Sequence, residues 1–445
     1  MEYLDIIPFR NEVSSEVYIP GSKSISNRAL ILASLCRAKT TLSGILNSED
    51  VALMIAALSK LGIQVSEDDS GKKLIVCGNG GQFAKEATIN VGNAGTVARF
   101  LTAALAFVQN GEYHLDGSSA MRLRPMSELL ESLKRLGCLF KFPKSDGCFP
   151  FTMRTNGLSG DSWGVDARQS SQVLSALMMV APLVNHKTAI NFDGGTVSKP
   201  FLDITERMME SFSTDEFQIK KEKESLTVIS NGYTAKDLLY EIEPDATAAS
   251  YFLTLPIVAG GNLLVNGIKE NMLQGDAKYI KILRKLGGEM VETEEGMKAS
   301  FFSKRGKGGN FDFNDISDTF LTLAAISPVL AEPTRIYGIK HTRKQETDRV
   351  RAMATEIRKL NQEVIEQEDS LEIKPDLNKL KAAASKKVII DTYEDHRVAM
   401  SFAILGSYDL FGDGKSWMRI KNPMCCSKTF PDFFHVLEKL RAQSH

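Results

Sequence analysis

Six segments of the chain share one plan: each opens on small, polar or charged residues and then turns strongly apolar. They read SKSISNRALILASL, NAGTVARFLTAALA, SSQVLSALMMVAPL, DATAASYFLTLPIV, SDTFLTLAAISPVLA and EDHRVAMSFAILG. As helices they are buried along their length, with only the first turn reaching water. A helix start directs free N–H groups and partial positive charge outward, so it attracts anions. Some starts add cations of their own: Lys23 and Arg28, Arg99, and His396 with Arg397. Starts that face one another make a cleft for a small molecule bearing several negative charges, phosphorylated or carboxylated. Serine and aspartate are also good N-caps, so each start taken singly has a purely structural reading.

A second type of helix alternates with the first. VALMIAALSKLG, MSELLESLKRLG, ITERMMESF, AKYIKILRKLG, RAMATEIRKLN and FFHVLEKL place apolar residues at i, i+3, i+4 and i+7, which marks a single buried face. Their ends fall at Leu61, Leu136, Phe212, Leu286, Leu360 and Leu440, a period of roughly 75 residues. Glycine just past the last apolar residue suits a left-handed C-cap. Strand candidates such as KLIVCG and KVIID lie between the two types. The chain therefore reads as α/β, with a unit of strands and two helices repeated six times. Three units per domain are expected, divided near the polar stretch Ile219 to Glu243. The charge run Lys220 to Glu224 within it reads as solvated surface.

A chain of 445 residues, 43% of them hydrophobic, can bury more than one core. The net charge of -1 gives no basic excess for nucleic acid. The longest apolar run, Val173 to Val184, is too short to cross a bilayer. MEYLDIIPFRNEV does not have the form of a signal peptide. The six cysteines form no CxxC pair and are expected to be reduced, in a soluble cytoplasmic protein. The six histidines form no ligand cluster with them, so neither a metal nor a dissociable cofactor is expected.

PGSKSISNRA at Pro20 to Ala29 lacks the GxxxxGK[ST] spacing of a P-loop. It closely resembles the opening motif of the EPSP synthase (3-phosphoshikimate 1-carboxyvinyltransferase) family of enolpyruvyl transferases. The resemblance runs on through GNAGTVARF, MRLRP, SSQVLSAL, VSKPFLDIT, DATAASYF, ETDRVRAMATEIRKL, DTYEDHRVAM and SKTFPDFF, in the family's order. It implies two domains of three units each, an inside-out α/β barrel plan, with the active site between them. The expected boundaries are residues 21–241 for one domain, and 1–20 with 242–445 for the other. The implied reaction passes the enolpyruvyl group of phosphoenolpyruvate to the 5-hydroxyl of shikimate 3-phosphate. A monomer acting on these two small molecules, with no nucleic acid or membrane partner, is expected.

The resemblance also assigns roles. Shikimate 3-phosphate would meet Lys23, Ser24, Arg28, Ser170, Ser171, Gln172, Ser198 and Asp318, with Asp318 as base for the attacking hydroxyl. Phosphoenolpyruvate would be held by Lys23, Gly95, Gln172, Arg349, Arg397 and Lys428. Glu346 would protonate C3, assisted by Lys23, and His396 joins the catalytic set. Read without the family, Glu346 and Arg349 are an ordinary pair three residues apart on a helix, Asp318 is an N-cap and His396 a structural histidine. Ala120, Gln345 and Phe201 depart from the arginine, lysine and tyrosine usual in the family. Arg122 or, preferably, Lys344 is expected to make up the missing charge. The departures leave open a related transferase acting on another alcohol, or a non-catalytic ligand-binding relative. A UDP-N-acetylglucosamine enolpyruvyl transferase would usually carry a cysteine in the segment Asp116 to Pro125, and there is none. RNA-processing cyclases would need a basic surface and a nucleotide-handling histidine.

Overall fold

Helices that are apolar all round must sit inside a protein, and helices with one apolar stripe must cover it. Both types occur where the sequence pattern puts them. The computed structural model describes residues 2–166, 171–192, 199–213 and 216–444. The inner helices are Lys23–Leu35, Gly95–Ala106, Ser171–Val184, Ala246–Ala259, Phe320–Ile326 and His396–Gly406. Gly95–Ala106 is buried at all 12 of its positions. The outer helices are Glu49–Lys60, Ser127–Arg135, Lys199–Phe212, Tyr279–Lys285, Arg349–Lys359 and Phe433–Gln443. Ser127–Arg135 buries only Leu129, Leu130, Ser132 and Leu133. Gly62, Gly137 and Gly287 follow three of these outer helices at φ 88°, 109° and 98°, and Asn361 follows a fourth at φ 56°. These are the left-handed C-caps that the recurring Leu-Gly and Leu-Asn endings require. A further helix, Leu377–Ala384, capped by Asp376, has no counterpart in the repeat pattern.

The chain divides into two compact units, Gly21–Glu243 and Met1–Pro20 with Pro244–His445. Among the described residues there are five four-stranded sheets and one three-stranded sheet. Each four-stranded sheet has one parallel pair followed by two antiparallel pairings. In the second repeat, Glu86–Asn90 runs parallel to Gly111–Asp116, which pairs antiparallel with Phe151–Thr155 and that with Leu139–Lys141. A parallel pair needs a crossover, and the inner helix Gly95–Ala106 supplies it. Distant segments complete other sheets. Leu238–Glu241 runs parallel to Lys39–Ser43 in the first unit, and Val13–Tyr18 runs parallel to Gly261–Asn266 in the second. In the last repeat Tyr3–Ile6 pairs antiparallel with Met418–Lys421 and Val388–Ile390 runs parallel to it, giving three strands among the described residues.

Within the first unit, Gly95–Ala106 packs on both Lys23–Leu35 and Ser171–Val184. Within the second, the three inner helices all pack on one another. Their core includes Phe252, Leu255, Phe320, Leu323, Met400 and Phe402. Truncating one such residue to alanine costs about 2–5 kcal/mol. The packing fixes the inner helices against one another, and so fixes the residues at their starts.

Candidate active site

In the first unit the site residues hang on two buried arginines. Arg28, one turn into Lys23–Leu35, is 1% exposed. Its Nε donates to Thr205 Oγ1 at 2.8 Å, and its two terminal nitrogens donate to the Ser24 carbonyl at 3.0 Å and Ser175 Oγ at 3.3 Å. Its guanidinium lies 5.0 Å from the Phe100 ring centroid and 5.8 Å from that of Phe201. Phenylalanine at 201 thus supplies a ring face to a cation. Burial pushes the Arg28 pKa down to about 9. Arg99 lies one turn into Gly95–Ala106. It donates to the Gly95 carbonyl, Gln172 Oε1 and the Pro125 carbonyl, each at 3.2 Å. Burial, and then repulsion from Arg124, push its pKa to about 9 as well. Arg99 therefore joins two inner-helix starts and the loop at Pro125.

That loop decides which cation reaches the helix start. Arg122 is committed to Asp116, with bonds of 2.9 and 2.5 Å, and both side chains are well exposed. Arg124 instead lies against Gly95, where an added Cβ would stand 2.7 Å from a guanidinium nitrogen. Glycine at 95 leaves room for that approach. Lys23, first in its helix, has Nζ 3.6 Å from the Asp50 carboxylate. Ser171 and Gln172 begin Ser171–Val184, Ser171 being buried. Ser170 and Ser198 lie outside the described residues.

In the second unit the site is a chain of alternating charges. Asp318 does not cap its helix; Thr319 occupies the N-cap. Its carboxylate instead accepts from Arg349 and from Arg397, each at 2.8 Å. Arg349 opens Arg349–Lys359 and also donates through Nε to Asp395 at 2.7 Å, and to the Gln345 side-chain oxygen. Asp395 is fully buried and caps His396–Gly406, accepting from the Arg397 N–H at 2.9 Å. Burial pulls the pKa of each arginine down, but Asp395 and Asp318 for Arg349, and chiefly Asp318 for Arg397, carry the balance upward.

Glu346 holds a second cluster. Its Oε1 lies 2.9 Å from Lys428 Nζ, at the end of the short helix Pro423–Lys428. Its Oε2 lies 3.2 Å from Nδ1 of the wholly buried His396, without the alignment of a hydrogen bond. Burial lowers the His396 pKa more than the Glu346 carboxylate raises it, so the imidazole is neutral near pH 7. Glu346, Asp395 and His396 bring oxygen and nitrogen donors within 4.8 Å of one another. A metal ion there would have to compete with Lys428 and Arg349 for the carboxylates. Lys344 ends the short helix Lys340–Lys344 and is exposed.

Residues that the sequence reading does not place here complete the picture. His341 Nε2 lies 2.8 Å from Ser317 Oγ, next to Asp318, and burial lowers its pKa. Asp276 is buried, with Oδ1 lacking a hydrogen bond among the described residues. Burial first, and the nearby Asp318 carboxylate second, push its pKa up to about 7. Asp50, Arg124 and Asp395 also join the site without being singled out by the sequence. The motifs hold Arg124 and Asp395 in plain view, but nothing in their spacing says which cation meets which helix start.

Taken as chemistry, these groups can neutralise phosphate and carboxylate and can move protons at two separate carboxylates. The family model for EPSP synthase (3-phosphoshikimate 1-carboxyvinyltransferase) matches residues 8–437. A 3-phosphoshikimate 1-carboxyvinyltransferase of Opitutus terrae is 44% identical over 100% of this chain and 98% of its own. One of Nostoc punctiforme is 36% identical over 98% of each. Among solved structures, an EPSP synthase from Acinetobacter baumannii superposes with a TM-score of 0.78 at 20% identity, covering 99% of this chain and 98% of that one. The enolpyruvyl transferase NikO from Streptomyces tendae follows at 0.72 and 15%, covering 99% and 97%. These last two are likenesses of fold; the family match and the sequence relatives, over almost the whole length, establish that the chain belongs to the EPSP synthase family.

Proposed function

We propose that the protein transfers the enolpyruvyl group of phosphoenolpyruvate to the 5-hydroxyl of shikimate 3-phosphate, releasing inorganic phosphate. Membership of the family supports this reading most strongly. The site geometry adds two carboxylates, Asp318 and Glu346, each held by cations from other elements. The reaction needs two proton-transfer positions. The substrate hydroxyl attacks C2 of phosphoenolpyruvate and loses its proton while C3 gains one. Phosphate then leaves C2 and C3 gives up a proton, restoring the double bond.

In this reading Asp318 takes the hydroxyl proton. Arg349 and Arg397 set the direction of its lone pairs and exchange part of that bonding for the anions of phosphoenolpyruvate. Glu346 serves C3, with Lys428 on one oxygen and the buried His396 ring beside the other. Lys23 assists proton transfer and, with Gly95 and Gln172, completes the phosphoenolpyruvate site. Arg124, already beside Gly95, joins them and supplies the charge that Ala120 lacks. Ser24, Arg28, Ser170, Ser171, Gln172 and Ser198 serve the shikimate phosphate and carboxylate.

Among the described residues, no helix is long and apolar enough to cross a membrane. The reading includes action as a monomer. Six free cysteines fit a reducing, cytoplasmic setting. The test is phosphate release with both substrates present. Release that needs shikimate 3-phosphate supports the reading; none with that acceptor, in a folded protein that binds phosphoenolpyruvate, would move it to another alcohol.

A further inference from the structure

The turn leading into His396–Gly406 presents Asp395, His396 and Arg397 in succession, and its backbone is strained. Tyr393 and Glu394 lie at φ 54° and 57°, left-handed in both cases without being glycine. Left-handed geometry crowds the Cβ of an L-residue, and two in a row persist only where the surroundings impose them. The surroundings here centre on Glu356 of Arg349–Lys359, whose side chain is completely buried. Glu356 Oε1 accepts from the Tyr393 hydroxyl at 2.6 Å. Oε2 accepts from the Asp391 backbone N–H at 3.0 Å and from Lys359 Nζ at 2.7 Å. Thr392 adds a bond from Oγ1 to the Lys421 carbonyl at 3.0 Å.

Glu356 stands about 10 Å along its helix from Arg349, taking about 1.5 Å per residue. Through Arg349 the helix grips Asp395; through Glu356 it grips Asp391 and Tyr393. The strained turn is thus fastened at both ends to one rigid element. We propose that Glu356 and Tyr393 are positioning residues, whose bond sets the turn that aims His396 at Glu346 and Arg397 at Asp318. The choice of substrates for its kinetic test rests on the functional reading above.

Tyr393→Phe keeps the ring and removes the hydroxyl; Glu356→Gln keeps the shape of the acceptor. The full-length variants are compared by steady-state kinetics and by amide hydrogen exchange over residues 391–397. Tyr393→Phe is expected to lower kcat about tenfold, the scale of a small misplacement of reacting groups. KM for shikimate 3-phosphate should stay within about twofold, because Arg28 and its neighbours are untouched. Exchange in the turn should rise about tenfold while peptides from 21–243 keep their rates. Glu356→Gln keeps one acceptor oxygen but must turn its amide NH2 toward either the Tyr393 hydroxyl or the Asp391 N–H and Lys359, so adding it to Tyr393→Phe should cost less than it costs alone. A merely structural brace would lower the melting temperature and leave kcat intact, which would overturn the proposal. Unchanged exchange in the turn would overturn it whatever the substrate. Faster exchange in Tyr393→Phe, in a protein whose wild type releases no phosphate from these substrates, would retire the functional reading and support the Glu356–Tyr393 bond as what sets the turn. Tyr393 is 40% exposed, so its variant should fold even where Glu356→Gln does not.

Discussion

The two units treat their buried arginines in opposite ways. In Gly21–Glu243, Arg28 and Arg99 bond to hydroxyls, carbonyls and one amide, and burial pushes each pKa down. In the unit holding Pro244–His445, Arg349 and Arg397 bond to carboxylates and their pKa values rise. A cation solvated by neutral oxygens gains when an anion arrives. A cation already paired must give up part of a partner, so its gain is smaller. The first arrangement suits tight holding of an anionic substrate. The second suits a site where a released carboxylate has work to do. Asp318, shared by two arginines, is the carboxylate to which the proposed function gives that work.

The largest effect should come from breaking that sharing. Asp318→Asn keeps the shape but removes the proposed base and the charge between two buried cations. Turnover should fall about a thousandfold, within the usual range for losing a general base. The melting temperature should fall as well, because Arg397 loses its bonded carboxylate while Arg349 keeps Asp395. Steady-state rates and a thermal melt measure both. Turnover within about tenfold of wild type would remove Asp318 as the base.

Lys23→Met should cost about a hundredfold in turnover, typical of losing a charged contact made in the transition state. Its stability cost should be modest, because Asp50 is buried and loses a facing cation but keeps its helix start. The Lys23–Asp50 contact is loose at 3.6 Å, and Asp50 lies in the first turn of Glu49–Lys60, where the helix start itself favours a carboxylate. Near-normal turnover would take Lys23 out of the mechanism. The next effect separates two neighbouring arginines. Arg124→Ala should raise KM for phosphoenolpyruvate about tenfold, or about 1.4 kcal/mol. Arg122→Ala, which loses an exposed bond to Asp116, should leave KM within about twofold. The reverse pattern would return the missing charge to Arg122.

These variants also mark where the sequence is readable. The ends at Leu61, Leu136, Phe212, Leu286, Leu360 and Leu440 fall at the last turns of the six outer helices, because a 3.6-residue stripe is a local property. The six polar starts are legible for the same reason. Partnerships across the repeats are not. Arg349 meets Asp395 across 46 residues, and no periodicity links them. Arg124 and Arg122 are chemically alike in the sequence; a loop without a repeating pattern turns one to Gly95 and the other to Asp116. Asp318 reads as a cap by itself, since the competing claim on it comes from two other helices.

Asp276 gives the finest test, because it asks whether the second unit holds more acid than its arginines can neutralise. Its carboxyl is buried near Asp318 and its folded pKa is raised from 3.8 to about 7. The sign follows from proton counting. Between about pH 4 and pH 7 the unfolded chain has released this proton and the folded protein still holds it, so the folded state binds more protons. Stability should therefore fall as pH rises through that window and level off above it. The side-chain amide introduced by Asp276→Asn imitates the protonated carboxyl and has nothing to release. The variant and wild type should melt together near pH 4 and part as pH rises, with the variant at least about 1 °C higher above pH 7, the scale of a kilocalorie in a chain of 445 residues. Arg397 opposes the effect by favouring the ionised form, so the separation reports burial first and repulsion from Asp318 second, less what Arg397 offsets. Melting curves that stay parallel from about pH 4 to pH 8 would show that Arg397 balances Asp276 as well as Asp318. The contrast between the units would then rest on the bonded carboxylates alone.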